Sequence, residues 1–162
     1  MAVTDPIRET DDEARALART LLRDATFAAL GVIDPETGGP MVTRIAIATT
    51  SSGAPLTLIS DLSAHAQALK RNDACSLLVG EPGPRGDPLT HPRLTLMCRA
   101  HATRQGEPGH TELAARYLAL RPKAKLYSGF QDFFHVTFEV TAAHLNGGFA
   151  RAYRLTPADL AA

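Results

Sequence analysis

The chain has 162 residues, 44% hydrophobic and 21% charged, the composition of an ordinary soluble globular protein and a length that suits one domain better than two. Its 17 Lys plus Arg residues balance 17 Asp plus Glu residues, so no global field favours nucleic acid or an anionic membrane, and any bound anion must be held by a local cluster. No apolar run approaches the ~20 residues needed to cross a bilayer, and the acidic, polar N-terminus lacks a basic-then-apolar leader pattern; the cytoplasm is the expected address.

Residues 1–10 read as a flexible arm, with one domain over 11–162. Thr10 or Asp11 can cap a helix, in which Ala14, Leu17, Ala18, Leu21 and Leu22 recur at helical spacing as far as about Asp24. A β-rich block follows: an apolar run over 27–33, an Asp-Pro and Gly-Gly turn over 34–39, and a strand over 41–49, together a hairpin. Ser51-Ser52-Gly53 turns the chain into a strand over 56–60, which runs into a short helix opening at Ser63 and stopped by Asn72-Asp73. Residues 75–79 return as a strand, and the Pro- and Gly-rich stretch 81–88 is a loop. A long strand over 94–103, a helix over 110–120 closed by Arg121-Pro122, a strand over 133–140 and a short one over 150–155 complete the order. The pattern is α+β with an antiparallel sheet, and strands so spaced close into a barrel that removes exposed edges.

The richest local feature is the strand ending at Ser60 and running straight into the helix that starts near Ser63. A helix start offers unpaired amides and a positive dipole end, a phosphate site in waiting. Ser60 and Ser63 add hydroxyls, His65 lies in the first turn, and Lys70 reaches the site only by curling back along the helix. Arg44, in an otherwise apolar strand, needs a partner anion. The plainer readings are that Ser63 is only an N-cap, His65 a surface residue, and Arg44 a salt-bridge partner of Asp61. Tyr117 and Arg121, four apart on one helix face, form a second candidate anion grip, set against a solvated basic helix end.

Cys75 and Cys98 sit in apolar runs and read as buried free thiols. Six scattered histidines show no tight metal-ligand spacing, so no metal is expected. The Gly-x-Ser-x-Gly elbow, the P-loop, His-Glu-x-x-His and Gly-x-Gly-x-x-Gly are all missing.

Several segments, taken in order, resemble the pyridoxamine 5'-phosphate oxidase-like flavoproteins, and most closely the haem-utilisation branch. They include Thr43-Arg44-Ile45-Ala46-Ile47, the run from Leu58 through Ser60 and Ser63 to His65, Pro92-Arg93-Leu94, Arg116-Tyr117-Leu118, Tyr127-Ser128-Gly129-Phe130 and Gly147-Gly148-Phe149. The resemblance spans about residues 12–155 and implies a six-stranded antiparallel split β-barrel with flanking helices, working as a homodimer with FMN in clefts at the subunit interface. It implies that Arg44 and Ser60 hold the FMN phosphate with His65 nearby, and that main chain of Ile45, Ala46 and Ile47 lines the isoalloxazine edge. It further implies that Arg93 reaches the ring from the partner subunit, and that Tyr117 and Arg121 match the oxidase's substrate-phosphate grip. This chain departs from the pattern at Ala66 and Ala68, where the branch carries Thr and Asn, and at Thr49, where the oxidase carries a substrate lysine. The functional expectation is an FMN-dependent oxidoreductase acting on an unidentified small molecule, not a true pyridoxamine-phosphate oxidase. The alternative is a flavin or haem binder without turnover, with His144 a candidate axial ligand.

Overall fold

The computed structural model describes residues 5–162. Its elements are β1 (Ile7–Arg8), α1 (Asp12–Asp24), β2 (Phe27–Ile33), β3 (Pro40–Ala46), β4 (Ala48–Thr49), β5 (Pro55–Ser60), α2 (Ala64–Arg71), β6 (Ala74–Val79), β7 (Arg93–Thr103), α3 (His110–Leu120), β8 (Phe133–Asn146), β9 (Ala152–Leu155) and α4 (Pro157–Leu160). Local chemistry accounts for most boundaries. Asp11 caps α1, its carboxylate accepting from the Ala14 amide at 2.8 Å. The hairpin turn closes where the Asp34 amide donates to the Gly39 carbonyl at 2.8 Å and Gly38 takes a positive φ of 71°.

The sheet runs β1-β9-β8-β7-β6-β2-β3, with β5 paired to both β8 and β4. The barrel closes at one residue. Up to Ala46 the chain pairs with β2, and from Ala48 it pairs with β5. Between them Ile47 is fully buried and its amide still donates to the Thr26 carbonyl at 3.0 Å. The single strand expected over 41–49 is therefore broken, because its two halves serve opposite ends of the sheet. The six strands β2, β3 with β4, β5, β6, β7 and β8 form the expected antiparallel split barrel. Added to it are β9, antiparallel to β8, and β1, which pairs with β9 in parallel, Ile7 opposite Ala152.

That pairing corrects the arm expected over residues 1–10. Residues 1–4 lie outside the described residues, but Ile7–Arg8 is tied into the sheet, and Thr10 Oγ1 donates to the Arg154 carbonyl at 2.8 Å. Strand β8 also outruns its expected end at 140, because the buried alternation continues through Ala143 and Leu145. A bulge between Met97 and Cys98 keeps β7 in step with it.

Alternate residues of the barrel strands, among them Leu30, Ile45, Leu77, Leu96, Val136 and Phe138, fill the interior, and Ala14, Ala18 and Leu22 of α1 pack against them. Ala66 and Ala68 of α2 are fully buried in the same core. The substitutions expected to remove polar contacts from the phosphate region thus face the barrel interior. A second, smaller cluster lies on the outer side of β5, where Leu56 and Leu58 are covered by Tyr117 of α3 and by Ala124.

Arg121 pins the crossing at Ile47. Its Nε donates to the Ile47 carbonyl at 2.8 Å, Nη2 to the Ala25 carbonyl at 2.7 Å and Nη1 to the Leu120 carbonyl at 2.6 Å. Arg121→Ala is expected to lower unfolding free energy by about 2–3 kcal/mol, since carbonyls served by a charged donor lose their partner. A urea midpoint unchanged in this variant contradicts that role.

Candidate functional site

The corner between β3, the end of β5 and the start of α2 is built by the strand pattern. In the β2–β3 hairpin the hydrogen-bonded pairs run from Asp34–Gly39 to Thr26–Ile47, so alternation turns the main chain of Arg44 and Ala46 away from β2. Among the described residues no strand lies beside that edge of β3. The expectation that Ile45, Ala46 and Ile47 all offer main chain is therefore narrowed. Ile45 is paired with Ala28, and the Ile47 amide and carbonyl are taken by Thr26 and Arg121. The Ala46 carbonyl accepts from Thr57 Oγ1, leaving the Ala46 amide on the open edge.

Arg44 is exposed, and its guanidinium lies 5.4 Å from the centroid of the Phe27 ring. Among the described residues it has no carboxylate within ion-pair distance, so the plainer reading of an Arg44–Asp61 salt bridge does not hold. Asp61 is instead gripped by Arg104 through two bonds of 2.8 Å and by Lys70 at 2.6 Å. These cations hold its carboxyl well below the usual carboxylate range. Lys70 does curl back toward the helix start, as expected, but onto this carboxylate.

Ser63 caps α2, accepting from the Ala66 amide at 3.3 Å and donating to the Ser60 carbonyl at 2.7 Å. The Ala64 and His65 amides open the helix without a backbone acceptor among the described residues. His65 Nδ1 lies 3.0 Å from Thr43 Oγ1, which ties α2 to β3, and burial pushes the ring's pKa down. Ser60 donates to Asp132 and accepts from the Leu62 amide, so its hydroxyl is already engaged. The corner as folded offers Arg44, the Ala46 amide, the Ala64 and His65 amides and the His65 ring, while the Ser63 hydroxyl is engaged in its cap. Ser60 and Lys70 are spoken for.

Arg93 begins β7, and its Nη1 donates to the Leu89 and His91 carbonyls at 3.2 and 3.3 Å. Strands β6 and β2 lie between β7 and β3, a separation of three strand spacings, about 14 Å. Arg93 and Arg44 thus do not meet within one chain. The second expected grip is dismantled as well: Tyr117 is 1% exposed with its hydroxyl unpartnered among the described residues, and Arg121 is committed to the crossing. Tyr117 packs edge-on to the buried His135 at 5.5 Å, and the His110 ring lies tilted against His135, also at 5.5 Å.

Arg104 and Asp132 were not legible from sequence. Their partners lie 43 and 72 residues away, and no local pattern marks such contacts. Cys75 and Cys98 are free thiols facing each other across β6 and β7, each pushed by burial up to about 12. Among the described residues no group of three or more His, Cys, Asp or Glu could hold a metal, and no helix is long and apolar enough to cross a membrane.

No family model and no curated protein matches the chain. Solved structures do. One is 45% identical with a TM-score of 0.86, covering 96% of this chain and 99% of its own. Atu2129 of Agrobacterium tumefaciens, described as of unknown function, is 33% identical with a TM-score of 0.81, over 98% of this chain and 66% of its own. A heme binding protein from Mycobacterium smegmatis is 25% identical with a TM-score of 0.81, over 95% of this chain and 61% of its own. The chain therefore spans about two thirds or less of these last two relatives. A Clostridium acetobutylicum protein of the pyridoxinephosphate oxidase family, related to general stress protein 26, shares the fold at 11% identity, with a TM-score of 0.67 over 93% of this chain and 99% of its own.

The fold is thus the split barrel of pyridoxamine 5'-phosphate oxidase-like proteins. The chain shares that fold with the haem-binding and pyridoxinephosphate oxidase-family structures just named.

Burial of neutral His135, helped by the neighbouring His110, and burial of His65 lower both pKa values from 6.5. A histidine held below its unfolded value leaves stability full above about 6.5 and erodes it as pH falls, because the unfolded chain then binds more protons. Thermal melts are expected to shift down between about pH 7.5 and about pH 5, and the double variant His65→Gln/His135→Gln to flatten that slope. An equal slope in the variant rules out these rings as its source.

Proposed function

We propose that the protein is an FMN-binding flavoprotein, working as an FMN-dependent oxidoreductase in the form of a homodimer. The observation that carries the reading is Arg44: an exposed guanidinium without a carboxylate partner among the described residues, beside an open strand edge and next in sequence to Thr43, whose hydroxyl touches His65 in the first turn of a helix with free amides. A phosphomonoester on a flat heterocycle suits this set. The phosphate takes Arg44 and the Ala64 and His65 amides, and the ring edge takes the Ala46 amide. When bound, the flavin supplies the redox chemistry, accepting and returning electrons or hydride, while the chain's own groups hold and orient it. Oxidation of pyridoxamine phosphate is not part of this reading, because Tyr117 is buried and Arg121 is engaged.

The homodimer is supported by the outer face of the barrel. Val42, Leu78 and Phe27 there are 70%, 44% and 38% exposed, beside the small residues Ala29 and Gly31, and a second copy docked on this face buries them. It also gives Arg93 a route to a site that its own chain cannot supply. The cytoplasm is the compartment this reading assigns. A second reading, a haem or flavin binder without turnover, draws on the Mycobacterium smegmatis relative's description as a heme binding protein and on His144, which is exposed on β8.

Adding FMN to the purified protein is expected to give a bound flavin spectrum, and Arg44→Ala to weaken binding by about 1.5–3 kcal/mol, or ten-fold and more. A protein that ignores FMN but develops a Soret band with haem selects the second reading. Val42→Arg is expected to convert the dimer to a monomer in light scattering; a dimer unchanged by this variant places the interface elsewhere.

A further inference from the structure

Between α1, the turn joining β4 to β5, α3 and α4 lies a cleft of about 290 Å³, whose lining includes Arg19, Leu22, Thr49, Thr50, Arg116 and Leu160. It shares no lining residue with the corner around Arg44, Ser63 and His65. Leu22 and Leu160 are buried and give the cleft an apolar floor.

Three arginines line it, Arg19 and Arg23 of α1 and Arg116 of α3, and Arg19 and Arg116 are each oriented through main chain. Arg19 Nε donates to the Asp159 carbonyl at 3.0 Å, and Arg116 Nε to the Thr49 carbonyl at 2.9 Å, with Nη2 3.4 Å from the Thr49 hydroxyl. Neither has a carboxylate within ion-pair distance among the described residues. Their surroundings differ in this respect: Arg15 takes the Asp159 carboxylate at 2.7 Å, and Arg23 takes Asp24 at 2.8 Å. The neighbouring side-chain carboxylates of Asp159 and Asp24 are taken by other arginines, and the guanidiniums of Arg19 and Arg116 are left beside one concavity, whose lining also includes Ala162.

We propose that this cleft binds a small organic monocarboxylate with a compact apolar body. The planar fork of a guanidinium matches a carboxylate, and two such forks over low-dielectric walls focus positive potential into the cleft. The apolar floor selects the body: a bare phosphate leaves Leu22 and Leu160 uncovered, and a neutral apolar ligand leaves both cations without a counter-charge. At about ten water volumes, the space suits a body the size of one aromatic ring. The inference stands independently of the flavin reading.

Calorimetric titration of the whole protein with phenylacetate tests it, with phenylacetamide and inorganic phosphate as controls. Saturable phenylacetate binding is expected, weakened roughly ten-fold or more in Arg19→Met and in Arg116→Met, with phenylacetamide failing to compete. Where Arg116→Met fails to fold for want of its bond to Thr49, the exposed Arg19 decides the matter alone. Arg19→Met is expected to leave the FMN titration unchanged, so failure of one site is distinguishable from failure of the other. No phenylacetate binding, equal binding by Arg19→Met, or phosphate competing as an equal would each overturn the proposal.

Discussion

The structure depends on a crossing. At Ile47 one polypeptide run leaves β2 and joins β5, and the guanidinium of Arg121 fastens the place by bonding carbonyls from the crossing, from Ala25 after α1 and from its own helix end. The same event closes the barrel and leaves the β3 edge unpaired among the described residues. It also explains why an arginine that looks like an anion ligand in sequence serves architecture instead: three carbonyl dipoles already satisfy its fork.

Charge is distributed on the same logic. A chain with no net charge can still present positive corners when its carboxylates are drawn off by other cations. Asp61 absorbs Arg104 and Lys70, and Asp132 absorbs the Ser60 hydroxyl. Among the cations left without a carboxylate, Arg44 at one corner and Arg19 with Arg116 in the cleft fall on separate parts of the surface.

Features set by near neighbours were legible in the sequence. The caps at Asp11 and Ser63 and the Asp34 turn each rest on bonds spanning a few residues, and the strand alternation located the core face. Features set by distant partners were not. Nothing in an apolar run over 41–49 says that it changes partners midway, because both halves keep the same hydrophobic pattern. Nothing around Tyr117 says that its hydroxyl is turned into a dry cluster with His135, since that contact depends on where α3 docks across β5. Strand β1 is two residues long and gains its place only from β9, 144 positions later at Thr10 and Arg154.

The facing thiols of Cys75 and Cys98 have a practical consequence. Because burial suppresses their thiolates, the buried Cys98 and the half-buried Cys75 should react only slowly with alkylating reagents at neutral pH while the barrel is shut. A cysteine engineered onto the surface would then be the fast-reacting handle of the folded protein. The slow onset of labelling at the native pair would serve as a clock for the parting of β6 from β7.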